Sequence, residues 1–125
     1  MADLGIKAMA HQMAAHAAAR QTHIARNVAN ADTPGYRATD LPDFGQALDP
    51  AMRMRTTRPL HIGVGASDAG VPAIERLGEA SPNGNTVSLE TEMMHAAEAK
   101  QAHDMALSIY ASARDILTTA LGRGR

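Results

Sequence analysis

Helix breakers are segregated in this chain. All six prolines (Pro34, Pro42, Pro50, Pro59, Pro72 and Pro82) and seven of the ten glycines fall between residues 34 and 84 of a 125-residue sequence. Inside a helix a proline removes a backbone donor and costs about 3 kcal/mol, and a glycine costs about 1 kcal/mol relative to alanine. The pattern predicts helix, irregular middle, helix, with segments 1–31, 32–86 and 87–125 in one domain of ordinary length. The flanks also hold 19 of the 26 alanines, as strong helix propensity requires.

That alanine content limits the core. Apolar residues make up 45% of the chain, but 26 residues are alanine and the only aromatic side chains are Tyr36, Phe44 and Tyr110. Alanine buries little surface, so hydrophobic stabilisation of an isolated chain is weak against backbone entropy, and partner chains are expected to contribute.

Within the first flank, Met9, Met13, Ala17, Arg20, Ile24, Val28 and Ala31 recur every three or four residues and form one helical stripe, with Arg20 as its flaw. In the second, Leu89, Met93, Ala96, Lys100, His103, Leu107, Tyr110, Arg114, Leu117 and Leu121 make a heptad seam broken by three polar positions. Met105, Ile109, Ala113, Ile116 and Ala120 form a neighbouring stripe. Two stripes imply more than one neighbour, because a helix packed on a single partner needs one apolar face. Ser88 is the expected N-cap, with Glu90 and Glu92 at the positive end of the helix dipole. The middle holds two short apolar runs, Leu60 to Val64 and Val71 to Leu77, with room for at most a short β-hairpin. Its Gly63, Gly65 and Gly70 lack the spacing and following helix of a nucleotide fingerprint.

Several function classes are disfavoured by composition. Twelve Lys and Arg against 13 Asp and Glu leave a net charge of −1, without the basic excess that nucleic-acid binding uses. The Arg53, Arg55 and Arg58 cluster has no interleaved aromatic residues and reads as a solvated or subunit-contacting loop. The absence of cysteine removes disulfides, thiolate zinc sites and thiol catalysis. No apolar run approaches the ~20 residues of a membrane span, and histidines interrupt the N-terminal segment where a secretory signal would be apolar.

The histidines offer the competing reading, a small helical metal-binding or ferritin-like protein built on Glu92, His95, Glu98 and His103. Glu92 and His95 form one Glu-x-x-His, but a di-iron site needs a second copy and two further glutamates. His11 and His16 are five apart, and His95 and His103 eight apart, so neither pair has the i,i+4 spacing of a helical zinc chelate. Neither a cofactor nor a catalytic nucleophile is expected.

The most informative stretch is ARNVANADTPGYRATD, residues 25–40. Asn27 and Asn30 lie near the end of the first helix, where their amides are placed to satisfy freed carbonyls. Thr33 precedes proline and is pushed to an extended conformation, while Pro34 and Gly35 fit the centre of a type II turn closing at Tyr36. An ordinary helix stop explains the proline and glycine but not the two amides, the threonine and the tyrosine.

NVANADTPGYR resembles the NxANxxTPGYK/R signature of the bacterial flagellar basal-body rod and hook proteins. GNTVSLETEMMHAAEAKQAHDMALSIYASARDILTTAL is similar to the C-terminal helix of the FlgB-type proximal rod branch, with its NxVxLxTEM opening; Ser88 departs from an Asp common there. The resemblance covers both flanks, about two-thirds of the chain. It implies two long terminal helices packed as an antiparallel coiled coil in a mainly α subunit, with Asn27, Asn30, Thr33, Pro34, Gly35 and Tyr36 as an assembly motif. Met9, Met13, Ile24, Val28, Leu89, Met93, Met105, Leu107, Ile109, Ile116, Leu117 and Leu121 would pack helices within or between subunits. The implied partners are copies of itself, other rod subunits, and the basal-body ring and export-gate junction at the rod base. Export through the flagellar type III apparatus without a cleaved signal, and a place in the periplasm-spanning rod without membrane insertion, are implied as well.

Overall fold

A computed structural model describes residues 2–51 and 71–122. Helix α1 (Ala2–Ala29) and helix α3 (Leu89–Gly122) run antiparallel, and between them lie strand β1 (Thr39–Asp40), the short helix α2 (Phe44–Ala51) and strand β2 (Ile74–Glu75). The strands pair antiparallel, Thr39 opposite Glu75 and Asp40 opposite Ile74. The mainly α architecture expected from the breaker pattern is present, with a strand pair in the middle. The basic cluster at Arg53, Arg55 and Arg58, the Leu60 to Val64 run, and Gly63, Gly65 and Gly70 lie outside the described residues.

Helix α2 is an addition to the sequence expectation, which read its Gly45 and Pro50 as breakers. Its anchor is tertiary: the Phe44 ring meets the His16 ring edge-on at 5.6 Å between centroids. His16 Nε2 in turn donates to the carbonyl of Pro42 at 2.8 Å. Contact with α1 overrides weak local propensity here.

The seam between the long helices differs in composition from the stripes of large residues. Its buried positions are Ala10, Ala17, Ile24 and Asn27 on α1 and Glu92, Ala99, Ala106 and Ala113 on α3; apart from Asn27, each set is spaced by seven. Small side chains let two helices approach to the near end of the usual 8–10 Å range, and the bulky residues then turn outward. Met13 and Leu117 are half-buried beside the seam and Ile24 lies within it. Met9, Val28, Leu89, Met93, Met105, Leu107, Ile109, Ile116 and Leu121 are exposed. At one end the Lys7 ammonium sits 5.2 Å from the centre of the Tyr110 ring; at the other a polar cluster closes the pair.

Candidate functional site: a polar clasp between two sequence motifs

Where α1 ends and α3 begins, the two motifs that stand out in the sequence are brought together. Asn27, fully buried, uses its whole amide. Its Nδ2 donates to the Thr39 carbonyl at 2.8 Å and to Glu92 Oε2 at 3.2 Å. Its Oδ1 accepts from the Thr39 N–H at 3.0 Å and from the Tyr36 hydroxyl at 3.3 Å. Asn27 therefore ties the helix to the chain after the turn and to α3, a larger role than satisfying a freed carbonyl. Asn30 does take that simpler role, donating to the Arg26 carbonyl at 2.8 Å. Thr33 Oγ1 donates to Asn30 Oδ1 at 3.1 Å. Gly35 has φ +73°, and the Tyr36 N–H donates to the Thr33 carbonyl at 3.3 Å, the geometry of a type II turn around Pro34 and Gly35.

The second motif meets this turn through Asn85, which is also buried. Its Nδ2 lies 2.8–2.9 Å from the carbonyls of Asn30, Ala31 and Thr33, which follow the helix end. Its Oδ1 accepts from the Val87 N–H at 2.8 Å, just before α3 starts. Backbone bonds run alongside: Gly35 N–H to Asn83 O at 2.9 Å and Thr86 N–H to Tyr36 O at 3.0 Å. Thr86 Oγ1 accepts from the Ala38 N–H at 2.9 Å.

A chain of alternating charges completes the clasp. Arg20 from α1 grips Asp40 with Nε at 3.1 Å and Nη2 at 3.3 Å. Arg76, one residue beyond β2, reaches Asp40 Oδ2 at 2.7 Å and also donates to Glu92 Oε1. Arg20 Nη2 further meets His95 Nδ1 at 2.9 Å and Glu98 Oε2 at 3.4 Å. Burial acts to raise the Asp40 pKa, but hydrogen bonds from Arg20 and Arg76 outweigh it and hold the carboxyl below its ordinary value. Glu92 is 1% exposed rather than solvated at the helix start, and Arg76 with Asn27 supplies its partners. Among the described residues no buried side-chain nitrogen or oxygen lacks a partner.

Glu92 and His95 are thus spoken for by Arg76, Asn27 and Arg20, and among the described residues no three His, Asp or Glu side chains converge as a metal site. Sequence reasoning missed Asp40, Arg76, Asn85 and Thr86 as members of the clasp. Arg20 carried a signal, since a guanidinium in an apolar stripe requires a buried acid. Arg76 and Asp40 carried none, because their juxtaposition depends on the strand pair.

Two long helices zipped by alanine, locked by a charged clasp and bearing large aliphatic side chains outside define an elongated helical-pair subunit. No protein-family model matches the chain. It is 30% identical over 112 residues to the flagellar basal body rod protein FlgB of Agrobacterium fabrum, covering 83% of each chain. Against FlgB of Salmonella typhimurium the identity is 33% over 109 residues, 76% of this chain and 77% of that protein. Against FlgB of Cereibacter sphaeroides it is 39% over 84 residues, 63% and 64% of the two chains. The chain belongs to the FlgB family of flagellar basal body rod proteins.

Proposed function

We propose that this chain is a non-enzymatic structural subunit of the proximal rod of the bacterial flagellum, assembling through its terminal helices. The observation that carries the reading is the inside-out helix pair: an alanine seam inside, with Leu89, Met93, Met105, Leu107, Ile109, Ile116 and Leu121 on the surface of α3. Exposed apolar residues in such number mark a surface that neighbours cover. Its neighbours are copies of itself, other rod subunits, and the ring and export-gate junction at the rod base. Among the described residues no helix is long and apolar enough to cross a membrane, which suits a shaft passing through a ring. Delivery is through the flagellar type III apparatus without a cleaved signal.

Removing the gene from its host tests this. The expected result is a non-motile strain whose basal bodies lack a rod, restored by the intact gene. Complete rods and normal swimming in the deletion strain would overturn the reading.

A further inference from the structure

Four asparagines occur in the chain, Asn27, Asn30, Asn83 and Asn85, and only Asn83 is followed by glycine. That pair carries chemistry of its own. The backbone nitrogen after an asparagine, once deprotonated, attacks the side-chain amide carbon wherever it can reach it. A Cβ on the following residue obstructs the approach; Val28, Ala31 and Thr86 each carry one and Gly84 has none.

Asn83 is exposed to water, yet in the closed clasp every group that the reaction must move is tied. The Asn83 carbonyl and the Gly84 N–H belong to one peptide unit. Its oxygen accepts from the Gly35 N–H at 2.9 Å, and its N–H donates to the Ser81 carbonyl at 2.7 Å. The Asn83 side-chain Oδ1 accepts from the Asn85 N–H at 3.1 Å. Turning the Gly84 nitrogen toward Cγ rotates this peptide plane and breaks both backbone bonds, and the proton that must leave is the one that Ser81 holds. The tie to Gly35 comes from the other motif, so the lock is complete only while the two turns are joined.

We propose that Asn83 is a self-modification site governed by the clasp, shut in the folded chain and open in the unfolded one. With the clasp open, base removes the Gly84 amide proton and the Gly84 N to Asn83 Cγ bond forms. The Cγ–NH2 bond breaks, and ammonia leaves with a proton from the medium, giving a succinimide ring. Water then opens one of the two imide carbonyls. Addition at Cγ gives aspartate; addition at the former backbone carbonyl gives isoaspartate, whose main chain runs through the side chain and gains a methylene. The net change is amide plus water to carboxylic acid plus ammonia, with no oxidant or cofactor. Aspartate keeps the backbone path and an oxygen for the Asn85 N–H. Isoaspartate lengthens the path inside the loop that Ser81 and Asn85 close and removes the carbonyl that Gly35 binds. A chain that has stayed open too long is thereby marked and barred from closing the clasp.

The test holds the full chain in mildly alkaline buffer with guanidinium chloride, and in the same buffer with trimethylamine N-oxide, which favours the compact state. Peptide mass spectrometry reads replacement of NH2 by OH at each asparagine, and an isoaspartyl methyltransferase assay counts isoaspartate. In guanidinium, Asn83 is expected to convert well ahead of Asn27, Asn30 and Asn85, with isoaspartate formed. In the compact chain Asn83 is expected to convert at least about tenfold more slowly, at a rate that follows the fraction of chains with the clasp open. After partly converted chain is returned to folding buffer, the fraction that resists limited proteolysis is expected to be depleted of isoaspartate, while freshly made Asn83→Asp refolds like wild type. Equal rates at Asn83 in the two buffers would overturn the proposal, as would conversion of another asparagine as fast as Asn83. Isoaspartate at its starting share in the resistant fraction, or failure of Asn83→Asp to refold, would overturn the barrier assigned to the lengthened backbone.

Discussion

Gly35 and Gly84 meet face to face: a Cβ built on Gly84 would stand 3.4 Å from the Gly35 Cα, and both residues have positive φ, +73° and +84°. Gly84 closes the Ser81–Asn85 loop, in which the Gly84 N–H donates to Ser81 O at 2.7 Å and the Ser81 N–H to Asn85 O at 2.8 Å. Each glycine thus belongs to a different motif, and the two turns nest.

Left-handed backbone costs an L-residue roughly 1–2 kcal/mol, least for Asn and most for β-branched side chains. Gly35→Val is expected to lower stability and motility more than Gly35→Asn. Gly84→Val puts its Cβ in contact with the Gly35 backbone at 3.4 Å, so its two γ-methyls crowd that turn in addition to the backbone strain, and it is expected to be worse than Gly35→Val, whose Cβ meets nothing within 4 Å. Thermal melts of the four proteins, with swimming assays, check the order; equal behaviour would show the turns to be conformationally indifferent.

Asn27 separates loss of a hub from reversal of its polarity. Asn27→Ala leaves Thr39 and Glu92 short of partners and is expected to cost about 1–3 kcal/mol. Asn27→Asp sets a carboxylate where Nδ2 now meets Glu92 Oε2 at 3.2 Å and is expected to cost more, about 3–5 kcal/mol. Urea unfolding of the two variants measures the difference, and an Asp variant as stable as wild type would remove Glu92 from the clasp.

Asp40 gives the clasp a pH dependence. Its folded pKa is lowered, so its contribution is present in full above the unfolded aspartate value of about 3.9 and is lost as pH falls through the lower folded value. Asp40→Asn is expected to lower stability at neutral pH and to flatten the loss below about pH 4. Melting temperatures of both proteins between pH 2 and pH 7 supply the comparison; parallel curves would mean that other carboxylates govern acid unfolding.

Ile109 and Leu117 test the division between surface and seam. Ile109 is exposed and Leu117 half-buried. Ile109→Asp is expected to abolish rod assembly while leaving the helical content of the purified chain unchanged, and Leu117→Asp to reduce both. Circular dichroism and electron microscopy of basal bodies provide the two readouts. Normal swimming by the Ile109→Asp strain would exclude that surface from assembly.

The helices were legible because proline and alanine placement acts locally, residue by residue. The turn at Pro34 and Gly35 was legible for the same reason. The internal seam was not: a stripe of Leu and Met looks more like a core than a line of alanines does, and only the pairing of α1 with α3 reveals that the small residues face inward. Asn85 was visible as a letter in the second motif, but its role depends on carbonyls more than 50 residues earlier in the chain. Arg76 and Asp40 meet through β1 and β2, strands too short to leave a periodic trace.

An alanine line repeated every seven residues has no built-in zero mark. Sliding α3 along α1 by one heptad, about 10 Å, would bring alanine against alanine again at Ala10, Ala17, Ala99 and Ala106 with little change in packing. Arg20 and Asn27 break that degeneracy, because a slipped helix would carry Glu92 away from Asn27 and His95 away from Arg20, stranding buried polar groups. The clasp is thus the molecule's index pin: it sets the height at which each outer side chain of α3 stands, so that every copy offers its neighbours the same ruler.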